Sequence, residues 1–138
     1  MDFIVPYNIT VLVMGLSGLL IWLQLAVVDV AAIMAKHTPG YAIAEDHRSF
    51  LFRAHRAFAN TNESIGVFIL FALFSILSLA SPEWLNGFAL LYLSGRVAHM
   101  LFYYFGQKLL RSTGFAISYI ALLGMFGTGL FAWLNVSS

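Results

Sequence analysis

From Ile9 to Ala35 the chain runs for 27 residues in which Gln24 and Asp29 are the only strongly polar side chains. A segment so long and so apolar has few conformations open to it. In hydrocarbon no water reaches the backbone, so every N–H and C=O must be satisfied inside the segment, which a helix does and an isolated strand does not. The run exceeds the roughly 20 residues that a helix needs to cross a bilayer. No Lys or Arg precedes it and it is far longer than the apolar core of a signal peptide, so it is expected to stay in the protein.

The rest of the chain has the same character. Of 138 residues, 61% are hydrophobic and 9% charged, against about 25% charged in a soluble domain. Mean hydropathy is +0.87. These values describe an integral membrane protein whose length holds four spans and no separate soluble domain. Apolar runs and their breaks predict one membrane domain over residues 1–138, with helices at about 8–36, 46–80, 84–110 and 114–135. Short connections make neighbours antiparallel, giving an all-α four-transmembrane-helix bundle. Asp46 or His47 is expected to cap the second helix, Ser81-Pro82 to end it, and Arg111-Ser112-Thr113 to form the last turn.

Charge and cysteine content narrow the chemistry. Net charge is +1 with no basic run, so nucleic acid is not an expected partner. Cysteine is absent, which removes disulfides, thiolate metal sites and a cysteine nucleophile; any thiol chemistry must take its sulfur from a ligand. Lys36, Arg48, Arg53, Arg56, Lys108 and Arg111 fall at the ends that join helices 1–2 and 3–4. The positive-inside rule places those two loops in the cytoplasm and both termini on the periplasmic or lumenal side.

Two polar stripes interrupt the apolar pattern. Arg53, Arg56, Asn60 and Glu63 fall within an arc of roughly 80° on helix 2, at the mouth of the charge-free run Ile65 to Ala80. On helix 3, Arg96, His99, Tyr103 and Gln107 share a similar arc of about 80°. Arg96 lies about 18 Å in from Trp84, too deep for its charge to face lipid. An intramembrane Arg96–Glu63 ion pair is the expected solution, with both stripes facing one cavity. Arg56 reads as part of a surface for an anionic or zwitterionic ligand. Arg53 reads equally as ligand contact or cytoplasmic anchor. His99 reads as a hydrogen-bonded helix contact, not as a metal ligand, and no metal is predicted. Asp29 is expected to pair with an arginine of a neighbouring helix, in this chain or in an adjacent subunit.

The segment RAHRAFANTNESIGVF, residues 53–68, resembles the signature of the membrane-associated proteins in eicosanoid and glutathione metabolism, the MAPEG family. Arg53, Arg56, Asn60 and Glu63 match its R-x-x-R-x-x-x-N-x-x-E pattern. GRVAHMLFYYFGQKLLRS, residues 95–112, is similar to the family's third helix. The resemblance covers essentially the whole chain. It implies a homotrimer with glutathione as co-substrate between adjacent subunits, and a lipophilic small molecule reaching the thiol from the lipid bilayer. Carried over, Arg56, Asn60 and Glu63 would contact glutathione, Tyr103 or Tyr104 would hold it from helix 3, and Arg111 would stabilise its thiolate as the catalytic residue. Arg53, Arg96 and His99 complete the candidate ligand-binding set. The implied function is that of a membrane glutathione transferase or peroxidase, resembling the microsomal transferases, in a bacterial inner membrane. The alternative within the same fold is a non-catalytic lipid-binding or scaffold protein.

Overall fold

Residues 2–136 are described in the computed structural model. A short 3-10 turn, Val5–Tyr7, leads into α1 (Asn8–Met34), followed by α2 (Phe50–Leu77), α3 (Pro82–Tyr104) and α4 (Lys108–Val136). All the regular structure among these residues is helical, and α1, α2 and α4 are each long and apolar enough to cross a membrane. Contacts fix the topology. Val28 and Ala31 near the end of α1 pack with Leu51 and Ala54 at the start of α2, and Ser75 near the end of α2 donates to the Met125 carbonyl of α4 at 2.8 Å. Successive helices are therefore antiparallel, and the 35–49 and 105–107 connections share one end.

Helix boundaries differ from the pattern reading at each connection, for identifiable reasons. Ser49, not Asp46 or His47, is the N-cap of α2, its Oγ accepting from the Phe52 N–H at 3.5 Å. Asp46 is occupied in a turn of its own, accepting the Arg48 N–H at 2.9 Å. The α1, α2 and α3 C-termini all close with a left-handed residue: Lys36 (φ 53°), Leu79 (φ 55°) and Gly106 (φ 70°). In each, two backbone N–H groups turn back onto the last helical carbonyls, as Gly106 and Gln107 do on Tyr103 and Phe102 at 3.0 and 2.8 Å. So α3 ends at Tyr104 instead of residue 110, and α4 begins at Lys108 instead of residue 114. Gln107 leaves the helix 3 stripe, and Arg111 moves from the expected turn into the first turn of α4.

The far end of the bundle is latched by side chains. The Tyr7 hydroxyl donates to the Ala80 carbonyl at 2.6 Å, and Asn86 donates to the Pro6 carbonyl at 2.9 Å while its Oδ1 accepts from Thr10. In the middle, Phe68 of α2 stacks on Tyr92 of α3 with ring centroids 4.4 Å apart, and the Tyr92 hydroxyl bonds to Ser64 at 2.8 Å.

The closest packing joins α3 to α4, and two glycines permit it. A Cβ on Gly114 would sit 2.8 Å from the His99 backbone nitrogen and 3.0 Å from its Cα. Gly95 faces Gly114 and Ser118 across the same seam. Because the obstruction is backbone, no rotamer change relieves it. Gly114→Ala is expected to force the helices apart and cost about 1–3 kcal/mol, measured as a lower midpoint in thermal or detergent-induced unfolding.

Candidate functional site

The deep polar group is a lock that holds three helices. Arg96 is 1% exposed. Its Nε donates to Ser118 Oγ of α4 at 2.9 Å, and one terminal nitrogen donates to Asn60 Oδ1 of α2 at 2.7 Å. The guanidinium also lies 5.5 Å from the Phe115 ring centroid. Arg96 thus does find a partner inside the bundle, as its depth requires, but that partner is Asn60 and not Glu63. The expected Arg96–Glu63 pair does not form. Among the described residues the ion pair found joins Arg48 to Asp46 in the loop, and Glu63 is exposed.

Azimuth explains the difference. The buried face of α2 runs through Ala54, Ala57, Thr61, Phe68 and Ala72. At about 100° per residue, Asn60 lies nearest that face, Arg56 about 40° beyond Asn60 and Glu63 about 60° beyond Asn60. The helix 2 stripe therefore divides. Asn60 turns toward α3 and α4, Arg56 is half-buried one turn before it, and Glu63 stands exposed. Asp29 is likewise exposed on α1, and no arginine of this chain pairs with it among the described residues.

Arg53 works as a strut. It donates to the carbonyls of His47 and Arg48 at 2.8 and 2.9 Å and to that of Tyr104 at 3.3 Å. It thereby ties the 35–49 connection to the C-terminus of α3, where a cation also complements the helix dipole. In that same loop, Asp46 accepts from the Arg48 backbone and guanidinium, which hold its carboxyl below the usual range, the backbone bond contributing most.

Nearer the loop end, a recess of about 200 Å³ opens between α2, α3 and α4, lined by Asn60, His99, Tyr103, Arg111, Ser112 and Phe115. The Arg111 guanidinium carbon lies 4.7 Å from the Tyr103 ring centroid, and one of its terminal nitrogens is 3.3 Å from His47 Nδ1. His99 is 4% exposed, packs on Tyr103 with centroids 5.0 Å apart, and has no hydrogen-bond partner for Nδ1 among the described residues. The tyrosines separate clearly. Tyr103 lines the recess, whereas Tyr104 packs on Phe50 and the apolar cluster around Val28 and Leu51. Ser118 carries no distinguishing pattern in the sequence beyond its helical phase with Arg111 and Phe115, and Ser112 reads there only as part of a turn. Among the described residues no group of three His, Asp or Glu side chains is placed to hold a metal ion.

A larger groove of about 720 Å³ lies at the opposite end, between α3 and α4, lined mainly by apolar residues including Trp84, Phe88 and Phe131. It carries no ionisable side chain.

Three bilayer-length apolar helices, closed by a fourth that bears a fully buried arginine, define an integral membrane four-helix bundle with its ionisable chemistry gathered at one end. The chain belongs to the MAPEG family, whose pattern matches residues 9–131. No curated protein matches it. Membership ties the chain, at the level of the family, to membrane-bound glutathione and eicosanoid chemistry.

Proposed function

We propose that the protein is a membrane glutathione transferase or peroxidase that brings the glutathione thiolate to hydrophobic electrophiles. The observation that carries this reading is the placement of Arg111. Its guanidinium is held on the Tyr103 ring at the rim of a recess shared by three helices, in the first turn of α4. A guanidinium and the positive end of a helix both favour a negative charge placed there. The chain has no cysteine, so the anion that fits a thiol reading is the ligand's sulfur.

Arg56 and Glu63 suit the rest of glutathione. The tripeptide carries two carboxylates and one ammonium at neutral pH, and an arginine and a glutamate on one helix face offer a complementary pair. Glu63 is exposed and Arg56 half-buried in the protomer, and in this reading an adjacent subunit of a homotrimer completes the site. In the transferase reaction the thiol proton passes to water at the loop end. The thiolate then forms a carbon–sulfur bond as the electrophile's leaving group departs with the bonding pair. Arg111 lowers the cost of the thiolate in this step. The basic end faces the cytoplasm, where the soluble thiol is supplied, and the bacterial inner membrane supplies the lipophilic partner.

The test is turnover of glutathione with a chlorodinitrobenzene by the purified protein in detergent, above the uncatalysed rate; none at saturating thiol would refute the reading. The apolar groove beside Trp84 favours one second reading, a lipid-binding scaffold without catalysis, for which Arg111 would be immaterial.

A further inference from the structure

We propose that His47, in the connection ahead of α2, is a positioning residue that aims the Arg111 guanidinium. The inference rests on the glutathione reading above for its catalytic meaning, and on the contact itself for its geometry. Arginine has five N–H donors and no acceptor. The 3.3 Å approach of its terminal nitrogen to His47 Nδ1 is therefore a hydrogen bond only if Nδ1 presents a lone pair. His47 then carries its hydrogen on Nε2, and the contact requires the neutral ring in that tautomer.

His47 is itself held from two sides. Its ring meets Phe52 edge-on at 5.0 Å between centroids, and its carbonyl accepts from Arg53 at 2.8 Å. Asp46 and Arg48, on either side of it, close a turn on one another through two hydrogen bonds. Arg53 in turn reaches the Tyr104 carbonyl. The guanidinium of Arg111 thus rests on Tyr103 of α3 and is pinned laterally by a residue that α2 and the 35–49 connection hold in place. One face contact leaves a planar cation free to turn over the ring; a second, in-plane contact removes that freedom. Its remaining N–H groups are left for an anion in the recess. This gives the loop a part in catalysis that its sequence, AIAEDHRS, does not advertise.

Two substitutions separate the hydrogen bond from the ring. His47→Phe keeps the packing on Phe52 and removes the acceptor; His47→Asn places an amide oxygen where Nδ1 stood. With glutathione and a chlorodinitrobenzene, His47→Phe is expected to lower kcat about tenfold with KM for glutathione unchanged, the scale of losing one hydrogen bond to a charged group. His47→Asn should return kcat to near the wild-type value. The contact is read without any thiol by a double-mutant cycle of His47→Phe and Arg111→Leu on thermal unfolding, where the two effects should fail to add. An additive cycle with normal wild-type turnover, or a His47→Asn as slow as His47→Phe, would overturn the positioning role alone. Wild-type protein with no turnover would overturn the glutathione reading and the catalytic role of His47 with it, and a non-additive cycle would then leave only a structural contact.

Discussion

Arg111→Ala should lower glutathione turnover by about a hundred- to a thousandfold, the usual cost of removing a preorganised group that stabilises charge developing in a reaction. Affinity for glutathione should change little, because the groups proposed to hold the tripeptide, Arg56 and Glu63, are on α2 and not on the substituted helix. The loss should fall on kcat. It should also depend on pH in a definite sense. A cation beside a thiol lowers its pKa, and its removal raises it; the variant's thiolate fraction therefore forms at higher pH, and its rate should recover part of the deficit as pH rises. Stopped-flow ultraviolet absorbance of the bound thiolate and steady-state rates over a pH series check both parts. Equal turnover in the variant would remove Arg111 from the catalytic role.

The second large effect concerns stability. Asn60→Leu removes the 2.7 Å acceptor from a guanidinium that is 1% exposed, and leucine offers nothing in its place. The charge is then left with Ser118 as its side-chain acceptor. Hydrogen bonds to buried charged groups contribute about 1.5–3 kcal/mol, and the loss should appear in full because lipid supplies no substitute. Glu63→Gln provides the control. Glu63 is exposed and makes no ion pair with Arg96, so this variant should keep the wild-type unfolding midpoint. The opposite ranking of the two variants in a thermal unfolding series would restore the Arg96–Glu63 pair.

That contrast shows how far the residues alone could be read. Depth was legible: counting from Trp84 places Arg96 well inside the bilayer and demands an internal partner, and it has one. Azimuth was not. Asn60 and Glu63 are less than one turn apart, and an arc of roughly 80° is wide enough for one edge to meet α3 while the other stays uncovered. Ser118, the third member of the lock, sits in an apolar helix where a serine carries no signal of its own.

The helix ends divide in the same way. Gly106 adopts the left-handed conformation that ends α3, yet the apolar period of helix 3 continues through it to Leu109 and Leu110, and the period reading ran on past the true end. Lys36 and Leu79 adopt the same conformation without being glycine, so tertiary packing decides those ends. The shift at Gly106 matters most, since it moves Arg111 onto α4 and beside Tyr103.

Arg56 on α2 is proposed to bind glutathione, while Asn60 and Arg96 hold the bundle together. Calorimetric titration of glutathione into detergent-purified wild type and Arg56→Ala, with both first shown by size to keep one oligomeric state, tests it most directly. Binding by the wild type and its loss in Arg56→Ala with the oligomer intact is the expected result. Equal binding by the two proteins, or none by the wild type under conditions where another family member binds, would contradict it.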